Sequence, residues 1–70
     1  MAGTYKLVEL VGTSSVSFAE AVKAAVEEAA KTLRHIDWFE VVDQRGRVKD
    51  GKVLEFQVTI KIGFKIERTA

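Results

Sequence analysis

Seventy residues with eleven Lys or Arg against ten Asp or Glu carry a net charge of +1, no cysteine, no proline and a single histidine. A chain of that length holds one domain that buries only about 60% of its unfolded surface, and it lacks the cysteines for a disulfide framework and the ligands for a structural zinc site. Its charges interleave instead of gathering into a basic stripe, which argues against a nucleic-acid partner.

The N-terminal residues lack the regions of a signal peptide, and no apolar run approaches membrane-spanning length, so a soluble cytoplasmic protein is expected. With no proline, repeat or linker-like stretch, residues 1–70 read as a single folding unit. So small a unit is expected to gain stability by self-association.

Residues 5–11, YKLVELV, are rich in apolar and β-branched side chains and predict a first strand ended by Gly12, Thr13, Ser14 and Ser15. Ser17 followed by Glu20 has capping-box spacing and predicts a helix start. From there Phe18, Ala21, Val22, Ala25, Val26, Ala29, Ala30 and Leu33 follow helical spacing over residues 18–34, with Glu20, Lys23, Glu27, Glu28, Lys31 and Arg34 on the other side. The four alanines let the helix lie close to a sheet, and Glu27 with Lys31 forms a favourable i, i+4 pair.

Residues 38–47 and 53–66 flank Asp50-Gly51, a pair suited to a two-residue type I′ hairpin turn. Setting Lys49 opposite Lys52 places Gln44 beside Gln57, Val42 beside Thr59, Glu40 beside Lys61 and Trp38 beside Gly63, all on one face. The other face of the last strand, Leu54, Phe56, Val58, Ile60, Ile62, Phe64 and Ile66, is uninterruptedly apolar. That strand spans more than about 40 Å, against about 25 Å for a 17-residue helix. The surplus apolar surface is expected to pack on other copies of the chain.

Trp38, the single tryptophan, therefore falls on the polar face of its strand. A tryptophan carries about 150–250 Å² of surface, and at about 25 cal/mol per Å² leaving it in water forgoes several kcal/mol. Two readings stand: it is buried in a subunit contact, or it stacks on a planar ligand. Gln44 and Gln57 form a cross-strand amide pair or bind the edge of a heterocycle. Arg45 and Arg47 make a solvated turn or grip a phosphate. Trp38 and Gln57 lie about 20 Å apart along the hairpin, so one small ligand touching both would bridge two subunits. His35 follows the helix with no second histidine or cysteine, which gives it a structural role at the helix end. No residue spacing favours Ser-His-Asp chemistry.

The order VELVGTSS, a single helix, KTLRHIDWFEVVDQRGRV and VLEFQVTIKIGFKIE resembles the dodecin family of small flavin-binding proteins over nearly the whole chain. Its most specific parts are Asp37-Trp38-Phe39-Glu40-Val41, Arg45-Gly46, Glu55-Phe56-Gln57-Val58-Thr59 and Gly63-Phe64. The resemblance implies an α+β fold: a β-α-β-β subunit whose three-stranded antiparallel sheet partly wraps one helix, with twelve copies forming a hollow homo-dodecamer. It implies flavins, FMN or else riboflavin or FAD, stacked between tryptophans at subunit interfaces, with Trp38 stacking, Gln57 bonding the ring edge and Arg45 near the phosphate. Gln44 lies where the family varies and is a further candidate contact. Coenzyme A is a second ligand the resemblance suggests. The function implied is non-enzymatic flavin storage, buffering and photoprotection; the alternative is a structural assembly module that binds small molecules incidentally.

Overall fold

The computed structural model describes residues 3–66. In it, strand β1 (Tyr5–Ser14) leads to helix α1 (Phe18–Ala29), followed by β2 (Ile36–Lys49) and β3 (Lys52–Lys65). The three strands form one antiparallel sheet in the order β1-β3-β2, so the expected β-α-β-β fold is the one observed.

β1 runs three residues further than its sequence suggests, through Gly12, Thr13 and Ser14. The absence of a side chain at Gly12 is what permits this. A Cβ there would collide with the Ala21 carbonyl oxygen and stand 2.8 Å from the Ala25 Cβ, so the glycine lets the helix backbone press against the strand. Ser14 then turns the chain, its hydroxyl accepting from the Val16 N–H at 2.9 Å. Ser17, extended at φ −166°, caps the helix by accepting from the Glu20 N–H at 3.0 Å.

α1 is shorter than its pattern, twelve residues or about 18 Å. It buries Ala21, Ala25 and Ala29 against Val58, Ile60 and Ile62 of β3, with Leu10, Val22, Val26, Leu33 and Ile36 packed around them. Ala30 is left exposed, because it follows the last helical residue as the C-cap. Lys31 pairs with Glu28 at 3.1 Å and not with Glu27, since the chain leaves the α-helical path before the i, i+4 spacing is completed. Both partners are exposed and the pair contributes little.

The hairpin turn is as expected: Asp50 (φ 52°) and Gly51 (φ 74°) are both left-handed, and Lys49 faces Lys52. His35 is also left-handed, at φ 62°, and its carbonyl accepts from the Lys65 N–H at 3.2 Å where the chain enters β2.

α1 packs against β1 and β3, and covers only the middle of β3. Phe39 and Val41 on β2, and Leu54 and Ile66 toward the two ends of the last apolar run, remain exposed. The chain is elongated, 56 × 20 × 13 Å, as a long hairpin with a short helix must be. Among the described residues no helix is long and apolar enough to cross a membrane.

Candidate functional site

Because paired residues in an antiparallel sheet share a face, the registers of β1 and β2 on β3 define the surface opposite the helix row by row. It runs Tyr5 and Lys65; Leu7, Gly63 and Trp38; Glu9, Lys61 and Glu40; Val11, Thr59 and Asp43; Thr13, Gln57 and Arg45; then Glu55 and Arg47. One end is aromatic and apolar. The other is a network of charges and amides.

At the aromatic end, Trp38 fits over Gly63. A Cβ on that glycine would fall among the indole atoms Cε2, Cζ2 and Cδ2, so the ring lies directly on the strand backbone. Spanning the gap, it meets Tyr5 of β1, with ring centroids 5.1 Å apart and planes tilted by 49°, within the range of favourable aromatic pairs. Trp38 nevertheless remains 41% exposed, and with exposed Leu7 in the same row it forms an apolar surface facing outward.

The polar end depends on a β-bulge. Simple alternation from Trp38 puts Val42 and Gln44 outward, but the register shifts between Val41 and Asp43. Val42 is the extra residue, and beyond it every side chain of β2 changes face. Asp43 therefore stands opposite Thr59 and Arg45 opposite Gln57, while Gln44 pairs with Val58 on the helix side. The expected pairings of Gln44 with Gln57 and of Val42 with Thr59 are thus corrected. A second shift between Arg47 and Val48, with Leu54 extra on β3, restores the original count before the turn. Trp38–Gly63 and Glu40–Lys61, outside the shifted stretch, pair as expected.

Arg45 is held at three points. Its Nε donates to Gln57 Oε1 at 2.9 Å, and one terminal nitrogen donates to Asp43 Oδ2 and to Thr59 Oγ1, each at 3.1 Å. Thr59 lies almost buried beneath it. Gln57 in turn donates from Nε2 to Glu55 Oε1 at 2.8 Å, and Glu55 pairs with Arg47 at 3.4 Å. Asp43, Glu55, Thr59 and Tyr5 are not candidates from sequence; the shifted register sets Asp43 and Arg45 opposite Thr59 and Gln57, the folded sheet brings Tyr5 to Trp38, and Glu55 shares the face of Gln57 two residues away on β3.

Within one chain the structure joins Arg45 to Gln57 and separates both from Trp38 by six residues of β3, about 20 Å. The indole offers a stacking surface, and the amide offers a hydrogen-bonding edge. Among the described residues no group of three or more Asp, Glu or His is placed to hold a metal ion.

A short helix on a three-stranded sheet, with an exposed indole and a clamped amide on the free face, defines a small α+β subunit built around an open, partly aromatic sheet surface. The dodecin family model matches residues 4–67. A dodecin from Thermus thermophilus is 49% identical over 69 residues, spanning 99% of this chain and all of the relative. The solved dodecin of Streptomyces coelicolor superposes with a TM-score of 0.92 at 46% identity, over 96% of each chain. That of Streptomyces davaonensis gives 0.93 at 38% identity, over 97% of this chain and all of the other. The chain belongs to the dodecin family.

Proposed function

We propose that this protein is a non-enzymatic flavin-binding protein that stores or buffers flavin, FMN foremost, and suppresses its photochemistry. The observation that carries this reading is the Trp38 indole, seated on Gly63 and exposed on the face opposite the helix. Membership of the dodecin family and the outward Gln57 support it.

The residues fit a flavin. Trp38 presents the flat face of an electron-rich ring for stacking, and Gln57 has a donor and an acceptor left for a ring edge. Arg45, with its Nε and one terminal nitrogen engaged inside the chain, has its remaining nitrogen to offer a phosphate. When bound, a flavin supplies light absorption and redox reactivity. Trp38, stacked on such a ring, would be placed to quench its excited state by electron donation, a role that needs no acid, base or nucleophile.

Since Trp38 and Gln57 are about 20 Å apart in one chain, the site is completed between subunits. The same arrangement covers the surplus apolar surface at Phe39, Val41, Leu54 and Ile66. The assembly that fits the family is a hollow homo-dodecamer, about twelve times the 7.8 kDa subunit.

Titrating FMN with the protein while recording flavin fluorescence tests the reading. Emission is expected to fall on binding, and Trp38→Ala is expected to abolish the quenching while leaving the assembled mass unchanged. Undiminished emission sinks the flavin reading. The alternative, an assembly module in which Trp38 only seals a subunit contact, is favoured instead if Trp38→Ala lowers the mass seen by light scattering.

A further inference from the structure

We propose that Glu55 is a positioning residue that fixes which way round the Gln57 amide sits, and that the amide so fixed selects ligands with an imide edge, an N–H beside a carbonyl. The inference deepens the flavin reading and rests on it.

An unconstrained glutamine amide can turn over and exchange its donor and acceptor ends. Here the two neighbours leave one arrangement. The Arg45 guanidinium only donates, so the Gln57 atom 2.9 Å from its Nε is the carbonyl oxygen. An ionised carboxylate only accepts, so the Gln57 atom 2.8 Å from Glu55 Oε1 is the amide nitrogen. Turning the amide over would set donor against donor at Arg45 and acceptor against acceptor at Glu55.

Each clamp is itself held. Asp43 and Thr59 each bind Arg45 at 3.1 Å, and Arg47 lies 3.4 Å from Glu55. Chain position reinforces the arrangement, because Glu55, Gln57 and Thr59 are alternate residues of β3, and Arg47, Arg45 and Asp43 face them in order across the ladder. Two opposite-facing rows of three thus hold one neutral amide at their centre.

After these bonds Gln57 keeps one lone pair on Oε1 and one N–H on Nε2. An acceptor and donor of this kind complement a ligand edge in which N–H stands next to C=O. The pyrimidine portion of a flavin has that edge at N3, and its dimethylbenzene end does not. Glu55 therefore contributes to orientation and selectivity without touching the ligand.

The test uses the assembled full-length protein, with riboflavin and N3-methylriboflavin as probes, since methylation removes the N–H and leaves the ring. Wild type is expected to bind riboflavin about tenfold more tightly than the methylated compound, the scale of one hydrogen bond. Glu55→Ala is expected to weaken riboflavin binding about tenfold and to bring the two probes within about twofold of each other. Glu55→Gln, whose carbonyl still accepts from Gln57, is expected to keep the preference. If Glu55→Ala fails to assemble by light scattering, Glu55→Lys, which puts a donor against the amide nitrogen, carries the same expectation of lost preference.

A preference preserved in Glu55→Ala or Glu55→Lys overturns the proposal. So does an equal loss for both probes, which marks damage to packing, and so does a wild type that binds both probes alike. Failure of wild type to quench riboflavin overturns the flavin reading itself; failure of the Glu55 assignment leaves wild-type quenching intact, so the two are told apart.

Discussion

A side chain at Gly63 would stand inside the indole of Trp38. The Cβ position collides with Cε2 and Cζ2 and lies 2.7 Å from Cδ2, so the central strand leaves a gap in the row Leu7, Gly63, Trp38 that the ring occupies. A tryptophan on a polar sheet face is thereby held down on backbone and steadied by Tyr5 at 5.1 Å, while much of its surface stays outward. A ring oriented in advance loses less freedom when it stacks on a ligand.

Gly63→Ala is expected to lift the indole from the strand. Overpacking of this kind costs about 1–3 kcal/mol, and the displaced ring should bind flavin at least about tenfold more weakly. Tryptophan emission in the free protein and flavin-fluorescence titration are the measurements. Unchanged emission and affinity would show that the indole has another comfortable position.

Arg45→Ala separates two roles of one guanidinium. If Arg45 reaches the phosphate, the variant loses affinity for FMN several-fold more than for riboflavin, because a charge-assisted bond exists only with the former. An equal loss for the two ligands assigns Arg45 to holding the Gln57 amide alone. Parallel titrations at low and at physiological salt serve as the check, since an exposed phosphate contact weakens as ionic strength rises.

Gly12→Ala is expected to be the more damaging glycine substitution for stability. The added methyl meets the Ala21 carbonyl and the Ala25 methyl, both on a buried helix face that cannot retreat without opening the contact with Val58 and Ile60. A loss toward the upper end of about 1–3 kcal/mol follows, read from urea unfolding monitored by circular dichroism. A wild-type midpoint in this variant would show that the helix can slide on the sheet.

Much of the fold was legible because it rests on local periodicity. Alanine and valine at helical spacing from Phe18, the Ser17 cap and the Asp50-Gly51 turn each lead to the observed element, and the alternation of β3 names the side that carries Val58, Ile60 and Ile62 into the core. The ends were harder to read. Gly12 looks like a strand terminator by composition, yet it continues β1 because the helix needs a residue without a side chain there. The helical spacing that continues beyond Ala29 to Leu33 does not keep the chain helical, and Lys31 therefore finds Glu28.

The candidate site divides along the same line. Trp38 opposite Gly63 follows from counting back from the turn, since two shifts of opposite sense cancel between the tip and that pair. Nothing local announces the shifts themselves. Val42 is one apolar residue among several, and no glycine marks the bulge; its effect, the exchange of Gln44 for Arg45 beside Gln57, exists only once two distant strands pair.

The sequence by itself determined the strand-helix-hairpin order, the apolar faces of the helix and of the last strand, the turn, and the presence of one tryptophan on the polar side of its strand, because each is encoded over a few neighbouring residues. Tertiary structure decided which polar side chains meet. Pairing over twelve to fourteen residues of separation set Arg45, and not Gln44, against Gln57 and Thr59, left the far end of the amide to Glu55, two residues away on β3, and laid the indole on a glycine. Those contacts depend on ladder register, and one extra residue in a strand turns every side chain beyond it to the other face.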